Sequence, residues 1–268
     1  MAIHNIKELS IQINLNGLSF CILNRSQNTV DYLKTLDFKG KLSPFDVLNR
    51  LKTELIQNSI FSDDFSEIHV IHQNELATLV PADFYDESCK ADYLKFNSKI
   101  LKTDFITHDE IHINKAVNVY VPYVNINNYI FETFGEFVYK HASSVLIDSI
   151  LQKEKPSEPT AVYVNVGLQS MECLVIENQQ LQLYNYFDFY SQEDFIYYLL
   201  FVYEQLGLNA ESTPIIFSGA ISKNDDLYTI AYKYIRHVSF MPSEFGFKFH
   251  DEIETSDLHR HFLILNSF

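Results

Sequence analysis

The chain has 268 residues, 47% of them hydrophobic and 15% aromatic, which is ample for a sizeable core in one large domain or two intimate lobes. Its formal net charge of −15 at pH 7, with acidic and basic residues interleaved and no Lys/Arg block, disfavours direct binding to nucleic acid or to an anionic membrane surface. Three cysteines, odd in number and far apart, offer neither a disulfide framework nor a CxxC metal site.

The first ten residues carry His4, Lys7 and Glu8 and no apolar stretch, so no signal peptide is expected and the chain is read as cytoplasmic. Residues 9–15 alternate as a strand, Asn16-Gly17 is a hairpin signal, residues 19–23 run back, and residues 30–38 form a third strand. Ser43-Pro44 then opens a helix, as an N-cap followed by a proline at the first helical position. Phe45, Leu48, Leu51 and Leu55 recur at helical spacing up to Asn58. Residues 67–72 return as a strand.

A strand at 77–81, a helix around 87–96, strands near 103–106 and 118–121, and helices near 125–134 and 143–152 follow. Lys153-Glu154-Lys155-Pro156-Ser157-Glu158-Pro159 is charged, proline-bearing and without apolar periodicity, so it reads as a linker. Beyond it, residues 161–166, 171–176 and 180–189 are strands, Ser191 caps a helix over 193–206, and 214–217 is the next strand. The longest apolar-rich stretch, residues 195–208, is broken by Glu204 and Gln205 and is too short to cross a bilayer, so no membrane insertion is expected.

The two halves repeat one order of elements. Asn14-Leu15-Asn16-Gly17-Leu18-Ser19-Phe20-Cys21-Ile22-Leu23 overlays Asn165-Val166-Gly167-Leu168-Gln169-Ser170-Met171-Glu172-Cys173-Leu174 without a gap. The same register brings Leu36-Asp37-Phe38 onto Phe187-Asp188-Phe189. The expected architecture is α/β: a first lobe over residues 1–152 with an inserted α/β subdomain at about 77–121, a linker over 153–160, and a second lobe over 161–268. Each lobe is a βββαβαβ unit whose five-stranded mixed sheet is flanked by helices.

Such a duplicated unit, with a hairpin between the first two strands of each copy, resembles the ribonuclease H-like fold shared by actin, sugar kinases and Hsp70. Over its whole length the chain resembles an uncharacterised Bacteroidota family, a domain of unknown function with an actin-like ATPase fold. The likeness lies in Asn118-Val119-Tyr120-Val121-Pro122-Tyr123, Asn127-Asn128-Tyr129-Ile130, Phe134-Gly135-Glu136-Phe137 through His141, residues 77–81, and Ser218-Gly219. It is similar, more weakly, to actin-like pilus-assembly proteins, which act as cytoplasmic scaffolds.

The resemblance implies a nucleotide site at each first hairpin, where a DxG-type turn lets backbone N–H groups approach phosphate and its aspartate organises a metal ion and water. Here the first hairpin reads Asn14-Leu15-Asn16-Gly17 and the second Asn165-Val166-Gly167-Leu168-Gln169, with Asn at both acid positions. The adenosine-contacting turn, usually a pair of glycines, is reduced to Ser218-Gly219-Ala220. The resemblance therefore implies a degenerate cleft between lobes lined by Asn14, Asn16, Gly17, Asn165, Gly167, Gln169 and Gly219, with ATP and magnesium not expected as cofactors. The simpler reading of Gly17, Gly167 and Gly219 is that hairpins and strand-to-helix turns need positive φ.

No other pattern points to chemistry. GxSxG, the Walker lysine motif and GxGxxG are absent, and the whole chain has only seven glycines. His108-Asp109-Glu110-Ile111-His112 is neither HExxH nor HxxEH. On a strand its histidines would stand about 13 Å apart, too far for one zinc, and a solvated hairpin is the expectation. His69 and His72 point to opposite strand faces, and His259 and His261 to different helix faces. His141 reads as a hydrogen-bonded core residue. No catalytic or metal residue is assigned.

Tyr184, Tyr186, Phe187, Phe189 and Tyr190, followed by Tyr197, Tyr198, Phe201 and Tyr203, suit either an α/β core or an interface, and the core is the expectation. The leading reading is a non-catalytic interaction or scaffold protein with a protein partner; a homo-oligomer is compatible with it. The alternative is a divergent nucleotide-dependent ATPase or kinase that recruits other acids, such as Asp37, Asp188 or Asp225.

Overall fold

The computed structural model describes residues 6–155 and 158–268; the first five residues, His4 among them, and Pro156-Ser157 of the expected linker lie outside the described residues. The chain forms two compact units: Met1–Leu146 with Phe245–Ile253 and Ile264–Phe268, and Ile147–Glu244 with Glu254–Leu263. This division differs from the boundaries expected at 152 and 161. It falls inside a helix, and two pieces of the last 25 residues belong to the first unit because one of them hydrogen-bonds to the edge of its sheet.

In the first unit β1 (Lys7–Asn14) and β2 (Gly17–Asn24) form a hairpin whose two-residue turn is Leu15-Asn16, one position ahead of the Asn16-Gly17 turn expected, because Gly17 already pairs with Asn14; β3 (Thr29–Asp37) extends it. Helix α1 (Pro44–Gln57) follows. The Ser43 side chain accepts a hydrogen bond from the Asp46 N–H, and Pro44 occupies a position where a missing N–H costs nothing. α1 leads to β4 (Glu67–His72), parallel to β1, the crossover that parallel pairing requires.

Leu9, Ile11 and Ile13 of β1 share a face with Leu18, Phe20 and Ile22 of β2 and pack against Val47, Leu48, Leu51 and Leu55 of α1. At about 1.5–3 kcal/mol for each fully buried large apolar side chain, this face is what holds α1 to the sheet.

The insert contains β5 (Ala77–Pro81), α2 (Lys90–Lys95), β6 (Thr107–Ile111) and β7 (Ala116–Tyr120), and its strands form a separate sheet in the order β5-β7-β6. Helix α3 (Val124–Phe134), β8 (Val138–His141) and α4 (Ala142–Lys153) follow. One expectation shifts: the strand foreseen at 103–106 lies at 107–111, where Asp109 pairs with Asn118 of β7.

The second unit holds β9 (Ala161–Val166), β10 (Ser170–Glu177), β11 (Gln180–Asp188), α5 (Gln192–Gln205), β12 (Ile215–Gly219), α6 (Asp226–Tyr234) and β13 (Val238–Phe240). Helix α5 repeats the α1 start: the Ser191 side chain accepts from the Asp194 N–H, and Asp194 Oδ2 accepts from Tyr190 N–H at 3.0 Å, a reciprocal cap. Val162, Val164 and Val166 pack against Phe195, Leu199 and Val202 of α5 and Tyr228 and Ala231 of α6.

Its sheet runs β11-β10-β9-β12-β13, matching β3-β2-β1-β4-β8 in order and in every strand direction. The first sheet is six-stranded rather than five because the two-residue β14 (Lys248–Phe249) adds in parallel to β3. The short α7 (Phe262–Leu265) comes last. Among the described residues, no helix is long and apolar enough to cross a membrane.

Candidate functional site

The strand registers correct the overlay of the two halves. Val166 pairs with Met171 and, in parallel, with Gly219, whereas Ile13 pairs with Leu18 and, in parallel, with His72. Ile13 and Val166 are thus equivalent, and it is Gln12, not Asn14, that corresponds to Asn165. Asn14 then corresponds to Gly167. The gapless match holds only from the third strand, where Leu36 and Phe187 correspond, because residues 25–28 connect β2 to β3 while the shorter pair 178–179 connects β10 to β11. Asn178 and Gln179 both have positive φ, at 51° and 60°, as a tight two-residue hairpin needs. The first DxG-like position is therefore Gln12-Ile13-Asn14, with an amide in place of the acid and a side chain in place of the glycine.

Each amide is closed by neighbours of its own unit. Gln12 Nε2 and Asn14 Nδ2 both donate to Gln73 Oε1, at 3.0 and 3.1 Å, and Asn14 Oδ1 accepts from Asn16 N–H at 2.7 Å. Gln73 is buried at the end of β4, and Tyr123 Oη donates to its carbonyl. Neither Gly17 nor Gly167 has the positive φ expected of it, because both belong to the strand-paired ends of their hairpins; Gly17 is instead required by packing, since a Cβ there would meet Leu36 O at 2.7 Å.

In the second unit Asn165 is 5% exposed. Its Nδ2 donates to Glu172 Oε2 at 2.9 Å, and its Oδ1 accepts from Ser218 Oγ at 3.2 Å. Glu172, 1% exposed, also accepts from Tyr184 Oη at 3.0 Å. Gly219 has φ +83°, and a Cβ would stand 2.2 Å from Val166 O and 2.8 Å from Asn165 Oδ1. Gly167 N–H donates to Ser170 O, and Gln169 is an exposed tip residue whose carbonyl accepts from Phe189 N–H. The expected site residues thus fall into two groups, one per unit, and the structure brings Asn165, Gly167 and Gly219 together around Val166.

A pocket of about 460 Å³ opens beside this second group, lined by Gln169, Tyr190, Ser191, Gln192 and Asp226 among others. It lies at the N-terminal ends of α5 and α6, a position that attracts anions. The α5 end is already capped by Ser191 and Asp194, however, and Asp226 adds a carboxylate, so the lining does not favour phosphate. The alternative acids each have a local place in their own unit. Asp225 Oδ2 closes a turn by accepting from Ser222 N–H at 2.6 Å, while Asp37 and Asp188 end β3 and β11 on the surface.

The histidine-rich segment is a correction. β6 ends at Ile111, so His112 starts a turn and is exposed, whereas His108 lies against the Tyr85 ring at 5.0 Å. Asp109, expected in a solvated hairpin, is half-buried and its carboxylate is turned inward: it accepts from Tyr120 Oη at 2.9 Å, from His141 N–H at 2.8 Å and from Ser144 Oγ. Burial pushes its pKa up, and the hydrogen bonds from Ser144, His141 and Tyr120 oppose that shift.

His141 is fully buried, accepting from Ser143 N–H at Nδ1 and lying 3.2 Å from Asn74 O at Nε2. Ser143 Oγ is 2.7 Å from His141 Nδ1, but both residues are 0% exposed, so this local pair has no substrate access; the insert is tied to the start of α4 by Asn118, whose Nδ2 donates to Ser143 Oγ and Ser144 Oγ. His72 is likewise buried, with Nε2 2.8 Å from Asn127 Oδ1.

No curated protein matches the chain. Among solved structures it is similar to a Bacteroides thetaiotaomicron protein described as having an actin-like ATPase fold and unknown function, with TM-score 0.78 and 22% identity over 88% of this chain and 91% of that one. It is also similar to a PilM–PilN type IV pilus biogenesis complex (TM-score 0.61, 10% identity, 98% and 96% covered). A third is the ethanolamine utilization protein EutJ from Carboxydothermus hydrogenoformans (TM-score 0.54, 7% identity, 98% and 90% covered). At these identities the likeness shows the fold, and the fold is actin-like. The model of the family described as "Protein of unknown function (DUF3822)" matches residues 2–238, from ahead of the first hairpin to the start of β13, and the chain belongs to that family.

Proposed function

We propose that this chain is a non-catalytic interaction or scaffold protein of the cytoplasm, an actin-like body whose nucleotide site has lost its metal-organising acids. One observation carries the reading. At both DxG-like positions an amide replaces the acid, and that amide's hydrogen bonds are spent inside the protein, Gln12 on Gln73 and Asn165 on Glu172 and Ser218. An amide carries no charge for magnesium, and one whose nitrogen already donates inside the protein does not replace an acid that orients the metal-bound water hydrolysis requires.

Two features support a protein partner. Tyr190, Tyr197 and Phe201 are 81%, 62% and 40% exposed at and along α5, with Tyr197 and Phe201 stacked at 6.3 Å, and rings with a polar tip suit protein interfaces. The fold-level neighbour PilM is seen in a complex with PilN. The common order of the two sheets supports an origin by duplication, from which both acids have been lost. Phosphate release from ATP with magnesium tests the proposal. Turnover no faster than that of an Asn165→Leu variant is expected, and turnover abolished by that variant overturns it.

A further inference from the structure

On the face of the first sheet turned away from its apolar core, Glu8 of β1 lies in register with Glu67 of β4, and His69 follows Glu67 by two residues. Strand alternation therefore sets the three side chains on one face. One ligand atom from each lies within 4.8 Å of the others.

Glu8 is 7% exposed. Arg25 Nε donates to its Oε1 at 2.7 Å, but Oε2 is buried with no hydrogen-bond partner. His69 Nε2 is also buried without a partner, 4.0 Å from Glu8 Oε2 and 3.7 Å from Glu67 Oε1. Both separations are too long for hydrogen bonds. Buried polar atoms are satisfied in folded proteins, so an unpartnered carboxylate oxygen and an unpartnered imidazole nitrogen held 4.0 Å apart call for a partner that neither supplies.

We propose that Glu8, Glu67 and His69 form a binding site for a divalent transition-metal ion of the zinc class. Two carboxylates and an imidazole are a borderline donor set that suits such ions over magnesium or calcium, which prefer oxygen alone. Donors held at about 2.0–2.1 Å from a tetrahedral zinc stand roughly 3.4 Å apart, so the observed separations need only a small closure. The Glu67 side chain is half-exposed, which leaves a solvent-facing position for water as fourth ligand.

Arg25 holds the first carboxylate in place, as outer-shell partners do in metal sites. The side of the site toward Phe268 is apolar: that ring lies edge-on to His69 at 5.7 Å and beneath the Arg25 guanidinium at 5.8 Å. The positive field of Arg25 and Lys140 acts against a cation, so the expected affinity is micromolar, not nanomolar. This site is independent of the nucleotide reading above.

The test is calorimetric titration of the chelator-stripped chain with Zn²⁺, with Co²⁺ absorption as a spectroscopic check on coordination. One zinc per chain is expected, and His69→Ala and Glu8→Gln should each weaken it at least tenfold. Glu67→Gln, at a half-exposed side chain that folding does not require, should weaken it as well and so separates ligand loss from misfolding. His112→Ala, which removes the exposed His112–Glu110 pair, should leave it unchanged. Absence of stoichiometric zinc in the wild type, or affinity untouched by all three site substitutions, overturns the assignment.

Discussion

Restoring the acid at one DxG-like position should unfold the site, not revive it. In Asn165→Asp the donor that meets Glu172 Oε2 at 2.9 Å becomes an acceptor, and two carboxyl groups face each other where Asn165 and Glu172 are 5% and 1% exposed. The lost charge-assisted hydrogen bond alone costs about 1.5–3 kcal/mol. Like charges at this distance raise one pKa of the pair by roughly 2–3 units, at about 1.36 kcal/mol each, so roughly 3–4 kcal/mol is lost at pH 7.

The folded variant keeps a proton that the unfolded chain releases, so its deficit relative to wild type grows as pH rises from about 4 through the raised pKa, and shrinks again on acidification. Urea unfolding at pH 7 and pH 5 measures it, and Glu172→Gln in the same chain should recover most of the loss by restoring a donor. An Asn165→Asp variant within about 0.5 kcal/mol of wild type at pH 7, with no dependence on pH, would refute the argument.

Gly219→Ala should cost about 2–4 kcal/mol in the same assay, because its φ of +83° is strained for any side chain and the new Cβ would stand 2.2 Å from Val166 O; Gly40→Ala, with open space around it, is the neutral control. Equal stability of the two would contradict a packing role for Gly219. Burial lowers the pKa of His72 to about 4 and that of His141 to about 3, so the stability their neutral forms contribute is complete above about pH 6.5 and is lost as pH falls toward 4. Denaturant midpoints from pH 7 to pH 4.5 should fall accordingly, and a flat profile is the contrary result. Cys21 and Cys173 are buried, with burial pushing the Cys173 thiol up to about 12, while Cys89 is half-buried, so a thiol reagent should modify a single cysteine rapidly in the native chain. Loss of that fast phase in Cys89→Ser confirms it, and equal reaction of all three contradicts it.

Local signals carried most of the fold. The Ser43-Pro44 and Ser191 caps form where expected, the strands read at 9–15 and 161–166 form within two residues of their expected ends, and the Asn16-Gly17 signal yields a hairpin whose turn sits one position earlier, at Leu15-Asn16. What the sequence hid depends on pairing between distant segments. The overlay of the two halves slips by two residues because turn length, not strand pattern, sets it, and this put Asn14 where Gln12 belongs. Asp109 is drawn inside by Tyr120, His141 and Ser144, none of them its neighbours in sequence. The meeting of Glu8 with His69 exists only through the parallel register of β1 and β4, and a two-residue β14 carries no periodicity to detect. The signal that marks the second acid position, Asn165 opposite Glu172 on adjacent strands, was present in the hairpin pattern and needed only the correct register.

The most direct test of the central claim is equilibrium titration of the wild-type chain with ATP and ADP, each with and without magnesium, beside Gly167→Val. The account predicts no magnesium-dependent binding in either protein, since no carboxylate stands at Gln12 or Asn165 to hold the ion. Saturable, magnesium-dependent binding of ATP by the wild type that is lost in Gly167→Val would contradict it.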